Sequence, residues 1–351
     1  MRIIYFGIYD PNYARNLILI NGLKKGGVEV VECRENPRRF SLARLALKYI
    51  LLKKDFDLAI VGFPGQEVMF LAKLLIRKPI IFDAFTSHYG GYILDRKKWS
   101  PNSLRAKYFR FLDKWSCRLA DRVLLDTDAH INFFIKEYNL NKNKFVRIWA
   151  GANNYLYKPT EIHEGGSVKN ILFFGTFIPL QGVEYIMGAA KILAEDNEIF
   201  FTIIGEGQER KIAEELARKA NLKNIIFKNM MSPEKLCLEI SRADICLGIF
   251  GDTIKSRIVI PNKVFMSLAM KKPVITSDTP AIRELFDDSE IFMVKGADSV
   301  SLAEGIKKLI ENDNLRYSLA ERGYNKFIRA ASIDVLGNDL IITIRGLISN
   351  K

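Results

Sequence analysis

Metal-binding side chains are scarce in this sequence. Its four cysteines, Cys33, Cys117, Cys237 and Cys246, lie far apart in 351 residues, and there are three histidines. No CxxC pair or zinc-ligand spacing can be built from them, so no metal is expected, and such thiols suit a reducing, cytoplasmic compartment. Long apolar runs are lacking too: none approaches the ~18 residues that cross a bilayer. The opening residues, Met1–Gly7, read as a strand entering a glycine turn, without the apolar core and cleavage site of a signal peptide. Neither secretion nor membrane insertion is expected. With 48% hydrophobic and 26% charged residues, disorder is excluded.

Acidic side chains are in short supply in the first half. Residues 1–160 hold 28 Lys and Arg against 14 Asp and Glu, whereas residues 161–351 hold 25 against 26. The whole net charge of +13 therefore resides in the N-terminal part. Such a split suits an anionic partner, such as a membrane surface, a phosphorylated lipid or nucleic acid. No helix-turn-helix, zinc or RNA-reading motif accompanies it, so nucleic acid is set aside. Between Glu35 and Asp55 there are no acids but six cations, Arg38, Arg39, Arg44, Lys48, Lys53 and Lys54, interleaved with large apolar residues. A second cluster, Arg96–Trp99 through Arg105, Lys107, Tyr108 and Arg110, mixes cations with aromatics. Cationic, aromatic helices suit anionic bilayers; an inward apolar face with a solvated basic face is the alternative.

A chain of 351 residues suggests two domains. Short β-branched runs at Ile3–Phe6, Val28–Cys33, Leu58–Val61, Pro79–Phe82 and Arg122–Leu125 alternate with helix-length stretches. One of these, Leu104–Leu119, repeats Leu104, Tyr108, Phe111, Trp115 and Leu119 at helical spacing. The pattern pauses at Ala150–Val168, where Gly151, Pro159, Gly165 and Gly166 mark a linker. It restarts with strands at Asn170–Phe174, Phe200–Ile204, Ile225–Phe227, Ile245–Ile249, Pro273–Thr276 and Ile291–Val294. The fold class is α/β: two doubly wound parallel-sheet (Rossmann-like) domains, 1–158 and 159–331, facing a central cleft at their carboxyl-end loops.

Chemistry concentrates at the strand-to-loop junctions of the second half. Phe174–Val183 is a strand end and a glycine turn, with Gly175, Thr176, Gln181 and Gly182 before a helix. Glycines there let backbone N–H groups approach a phosphate. Gly205, Glu206 and Gly207 form a second such turn. Pro261 and Asn262 start a helix with Lys263 in its first turn, where a cation opposes the helix dipole unless an anion is near. Pro280–Leu285 opens another helix, placing Ala281 and Glu284 at the same sheet edge.

Taken in order, these junctions resemble the retaining nucleotide-sugar glycosyltransferases of the GT-B fold, the family that includes sucrose synthase and bacterial polysaccharide glycosyltransferases. The resemblance covers roughly residues 170–330, through the two glycine turns, Ala243–Phe250, Pro261–Thr276 and Pro280–Leu285. It extends more loosely over Phe56–Pro64, Lys78–Phe85, Ala120–Thr127 and Lys158–Thr160. It implies a hexosyltransferase-like, metal-independent enzyme of cell-surface glycan synthesis that needs no cofactor. Its substrates would be a UDP- or GDP-sugar donor, bound by the second domain, and a glycan or lipid-linked acceptor, bound by the first. It also implies that the final segment, 332–351, crosses back to the first domain. A cytoplasmic protein with peripheral contact at the inner face of the cell membrane follows.

The departures are specific. The family carries Arg and Lys where this chain has Thr176 and Gln181, and two glutamates where it has Ile258 and Met266. Methionine cannot accept ribose hydrogen bonds as a carboxylate does. Lys255, Arg257 and Lys263 are the candidates to supply the missing positive charge, with solvated surface charge the alternative for the first two. In the first domain, Tyr9, Asp10, Tyr13 and Arg15 follow strand one and are read as acceptor contacts; an ordinary helix arginine is the alternative for Arg15. The family's histidine near the reacting sugar falls closest to Phe85, leaving Asp83 to orient the acceptor and His88 to lie over the donor sugar. Helix capping and loop placement are their alternatives. With Lys263, these two form the expected catalytic set. A nucleotide-sugar epimerase and a glycosyltransferase-like binding protein with weakened catalysis are the competing functions.

Overall fold

The computed structural model describes residues 1–52, 55–160 and 168–349. Lys53 and Lys54 of the basic stretch, and most of the linker's glycine-rich end, lie outside the described residues. The chain divides into two compact units, Met1–Gly151 with Ala331–Lys351, and Ala152–Ala330.

The first unit is built on a six-stranded parallel sheet: β1 (Arg2–Ile8), β2 (Glu29–Glu35), β3 (Leu58–Val61), β4 (Ile80–Asp83), β5 (Arg122–Leu125) and β6 (Phe145–Arg147), in the order β2-β1-β3-β4-β5-β6. Strands β3 and β4 are buried along their whole length, which is why they read as unbroken apolar runs rather than alternating ones. Helix Asp128–Tyr138 and β6 were not anticipated from the sequence. β6 is three residues long and half exposed, so it has no apolar run to announce it.

Helix Ala14–Lys25 covers one face of this sheet and receives the terminal helix Ile333–Ser349. The two helices meet backbone to backbone at Gly22 and Gly337; a Cβ on Gly22 would stand 2.8 Å from the Gly337 Cα. Lys25 and Asp334 add an exposed ion pair of 2.8 Å. Right-handed crossovers place helices Ser41–Leu51, Val68–Leu75 and Leu104–Leu119 together on the opposite face.

The second unit repeats the plan with β7 (Lys169–Phe174), β8 (Ile199–Ile204), β9 (Ile225–Lys228), β10 (Ile245–Leu247), β11 (Val274–Ser277) and β12 (Phe292–Val294), ordered β12-β11-β10-β7-β8-β9. Its core joins Phe173, Phe177, Phe201 and Ile203 to Ile186, Leu302 and Ile306 of the flanking helices. The strand order reverses between β7 and β10, and ligands of open sheets bind at the carboxyl ends beside such a reversal.

The unit boundary lies seven residues ahead of position 158. Segment 152–158 belongs with the second unit because Tyr157 is buried there and the Cys237 Sγ donates to the Leu156 carbonyl at 3.6 Å. Among the described residues no helix is long and apolar enough to cross a membrane.

Candidate functional site

The carboxyl edge of the second sheet is shaped by two interlocked glycine turns. Gly175 N–H donates to the Ile204 carbonyl at 2.9 Å, and Phe177 N–H to the Glu206 carbonyl at 2.8 Å. Gly205 has φ +140°, and a Cβ there would run into the Gly175 carbonyl, so only glycine lets the turns close. Arg210, unremarked in the sequence, fastens the pair from below. Its guanidinium donates to the Gly205 and Lys228 carbonyls at 2.7 and 2.9 Å and packs over Phe177 and Phe227.

Three further segments gather at this edge. Helix Ile254–Ile258 packs against the Pro179–Gln181 turn and against helix Pro280–Arg283. It is closed by a reciprocal cap between Thr253 and Ser256. Helix Asn262–Ala269 begins at Pro261 and carries Lys263 inward in its first turn. The residues read from sequence as donor contacts fall into three groups. Gln181, Gly182, Gly205, Lys263 and Ala281 are buried; Gly175, Lys255, Pro261, Asn262, Met266 and Glu284 are half-buried at the edge. Thr176, Glu206, Gly207 and Arg257 are exposed.

Lys263 is the anomaly. Its side chain is 5% exposed, and its ammonium stands 3.7 Å from the centre of the Phe173 ring. It donates to Oε1 of Gln181, the residue standing where the family carries its lysine. The ammonium also borders the open side of Gly175: a Cβ built there would lie 3.0 Å from Nζ. Among the described residues no carboxylate forms an ion pair with it. Burial pushes its pKa well below the usual lysine range. A buried cation held by an amide and a ring face is costly, and an anion at the glycine turn would relieve that cost.

The first unit treats its buried cation differently. Arg15, expected to meet an acceptor, is fully enclosed together with Asp83, expected to act in catalysis. The two form a forked ion pair of 2.9–3.1 Å, and Nη1 of Arg15 donates to the Ile148 and Trp149 carbonyls at 2.8 Å. Their polar atoms join β4, helix Ala14–Lys25 and the chain leaving β6, and leave none for a substrate. Tyr9 is likewise turned inward, its hydroxyl donating to Glu32 at 3.2 Å. These three expectations are corrected: Tyr9 directly follows β1, Arg15 lies in the first turn of helix Ala14–Lys25 and Asp83 ends β4, and all three side chains are enclosed rather than presented to a substrate.

Asp10 and Tyr13 remain at the surface of the sheet's carboxyl edge. Tyr13 forms an aromatic triangle with Phe63 and Phe85, with ring centres 5.3–6.4 Å apart. Phe85, at the position nearest the family's histidine, holds φ +50°. His88 is half-buried, wedged between Tyr92 and Phe109 at 5.8 and 5.7 Å, with Nδ1 enclosed and unpartnered. Its turn is held by Asp113, which accepts from Ser87 Oγ, Tyr138 OH and the backbone N–H groups of His88 and Tyr89 at 2.7–3.0 Å. The sequence offered no sign of this anchor, because its members lie 24–26 residues apart in all four contacts.

Two six-stranded parallel sheets, the second carrying interlocked glycine turns and a buried lysine at its carboxyl edge, define a two-domain α/β protein of the GT-B type. The structure of Anabaena Alr3699/HepE in complex with UDP superimposes with a TM-score of 0.74, at 14% identity, over 99% of this chain and 100% of that one. Sucrose-phosphate synthase from Thermosynechococcus elongatus gives 0.76 at 14% identity, over the full length of both. At such identities the likeness is one of fold. Residues 161–326 match the family described as glycosyl transferases group 1. In Methanocaldococcus jannaschii, the uncharacterized glycosyltransferase MJ1069 is 23% identical over 90% of this chain and 82% of its own length. The uncharacterized glycosyltransferase MJ1178 is 25% identical over 63% of this chain, and the match spans 58% of that relative.

Proposed function

We propose that the protein transfers a glycosyl group from a nucleoside-diphosphate sugar, with the diphosphate bound between the Gly175–Gly182 turn and the Lys263 ammonium. The observation that carries this reading is a buried lysine with no described carboxylate, aimed at a glycine turn beside the strand-order reversal. Lys263 reaches the same point as Gln181, so it supplies from a different helix the charge that the family places on the turn. Charge-assisted contact to a leaving diphosphate stabilises the transition state more than the ground state, because charge grows there as the sugar departs. Transfer is retaining and metal-independent: the leaving diphosphate accepts the acceptor's proton on the same face of the sugar, so no enzyme nucleophile is required. The UDP complex of the HepE structure supports a uridine nucleotide as the first donor to try.

The acceptor is a glycan or lipid-linked hydroxyl held by the first unit, where Asp10, Tyr13 and His88 are the available side chains. The chain works in the cytoplasm against the inner face of the cell membrane. The test is incubation with a panel of UDP- and GDP-sugars, scoring nucleotide release with and without a lipid extract. Acceptor-dependent release of one nucleotide supports transfer. Release of an isomerised nucleotide-sugar identifies an epimerase, and binding without turnover identifies a binding protein.

A further inference from the structure

The helix Leu104–Leu119 is built inside out. Its inward side is made of Ala106, Leu112, Asp113, Ser116 and Cys117. The row at helical spacing points to solvent, with Leu104 83%, Tyr108 50%, Phe111 48% and Trp115 39% exposed. Asp113 fixes this rotation, since its four donors on the His88 turn and Tyr138 hold that side of the helix against the sheet. The neighbouring helix Val68–Leu75 extends the patch through Phe70, stacked on Phe111 at 6.0 Å and 13°, and through Leu74, 81% exposed. A continuous outward apolar surface of this kind marks an interaction site.

Its charge says what covers it. Redrawn along the structural units, the first holds 29 Lys and Arg against 16 Asp and Glu, and the second 24 against 24. The acid-free stretch contributes less than its sequence suggests, because Arg38, Arg44 and Lys48 all close on Glu35. Around the apolar row the cations are unmatched: Lys73, Arg105, Lys107, Lys114 and Arg118 pair with no described carboxylate. Arg110 takes up Glu137, while Glu67 is an acid near Tyr108.

At the row's far end a cavity of about 440 Å³ is lined by Lys73, Arg118, Arg122 and Lys144. Its one acid, Asp121, accepts from the Ile80 N–H at 2.9 Å. Arg118 lies over Trp115 at 5.1 Å, so the cations border the apolar row directly.

We propose that this face docks on an anionic phospholipid bilayer, with Leu74, Phe111 and Trp115 entering the interface and the Lys73–Arg118–Lys144 cluster taking a lipid phosphate. Apolar side chains ringed by cations bind such surfaces by combining burial with attraction to the headgroups. The docking face belongs to the first unit and the glycine turns to the second, so the two readings rest on different residues and are tested separately.

The test is co-sedimentation with phosphatidylcholine vesicles and with vesicles containing phosphatidylglycerol, using the full chain. The expected result is sedimentation with the anionic vesicles only, reversed by salt and accompanied by a blue shift of Trp115 fluorescence that a Trp115→Phe variant loses. Leu74→Ser with Phe111→Ser, and separately Lys73→Ser with Arg118→Ser, should each weaken binding by about tenfold or more. All four side chains are exposed, and unchanged circular dichroism and nucleotide affinity check that the variants fold. Equal binding to both vesicle types, or binding unaffected by either pair of changes, overturns the proposal. So does a vesicle-free dimer dissolved by Leu74→Ser with Phe111→Ser, which would make the occupant a second copy of this chain.

Discussion

Each unit buries a long cation, Arg15 in the first and Lys263 in the second, and these two are treated in opposite ways. Arg15 in the first unit has a forked carboxylate and two carbonyls. Lys263 in the second has an amide oxygen and the face of Phe173. The contrast teaches how to read a buried charge: one whose donors are all answered within the protein holds the scaffold, and one left short of negative charge awaits a ligand. Sequence position could not separate them, because both sit in the first turn of a helix after a glycine- or proline-marked loop.

The sharpest way to break the comparison is to unpair the satisfied cation. Asp83→Ala would leave Arg15 enclosed without its carboxylate and should cost about 3–5 kcal/mol of stability. Thermal unfolding by circular dichroism measures this, and a loss within about 0.5 kcal/mol would mean that the pair is not structural. Lys263→Ala should behave in the opposite sense, keeping the fold while losing about 1.5–3 kcal/mol of nucleoside-diphosphate affinity by calorimetry.

A pH series sharpens the same contrast. The Lys263 pKa is depressed in the folded protein, so between that lowered value and about 10.4 the unfolded chain binds a proton that the folded chain does not. This group's contribution to stability is therefore complete above the unfolded value and is lost as pH falls through the folded one. A bound diphosphate favours the ammonium and raises its pKa again. Nucleotide affinity should accordingly weaken as pH rises through the free protein's value, with proton uptake on binding. Calorimetry in buffers of different ionisation enthalpy detects that proton, and no uptake at any pH would remove Lys263 from the anion site.

The smallest expected effect concerns Met266, half-buried at the position of the family's ribose-binding carboxylate. Met266→Glu should tighten uridine or guanosine diphosphate binding by about 1 kcal/mol, the net worth of a hydrogen bond. Weaker binding by a folded variant would show that the pocket has been rebuilt around methionine.

The parallel sheets were legible because buried parallel strands leave unbroken β-branched runs, as in Leu58–Val61 and Arg122–Leu125. The glycine turns and Lys263 were legible through their spacing against the following helices. What could not be read was rotation and pairing. The row Leu104, Tyr108, Phe111 and Trp115 has the spacing of a core stripe, yet Asp113 turns it outward through partners on two other segments. Arg15 and Asp83 stand 68 residues apart, and only the adjacency of β1 and β4 across β3 brings them together. Likewise Glu35, which begins the acid-free stretch, is the carboxylate on which three of its cations converge.

The most direct measurement pairs stability with affinity in a single variant, Lys263→Met, which keeps the volume and removes the charge. If the ammonium is buried for a ligand's sake, the unliganded variant should melt higher than the parent, by about 1 kcal/mol or more of added stability, while its UDP and GDP affinities fall about tenfold or further. A variant that melts lower and binds both nucleotides as the parent does would contradict the account, and would make Lys263 a part of the scaffold like Arg15.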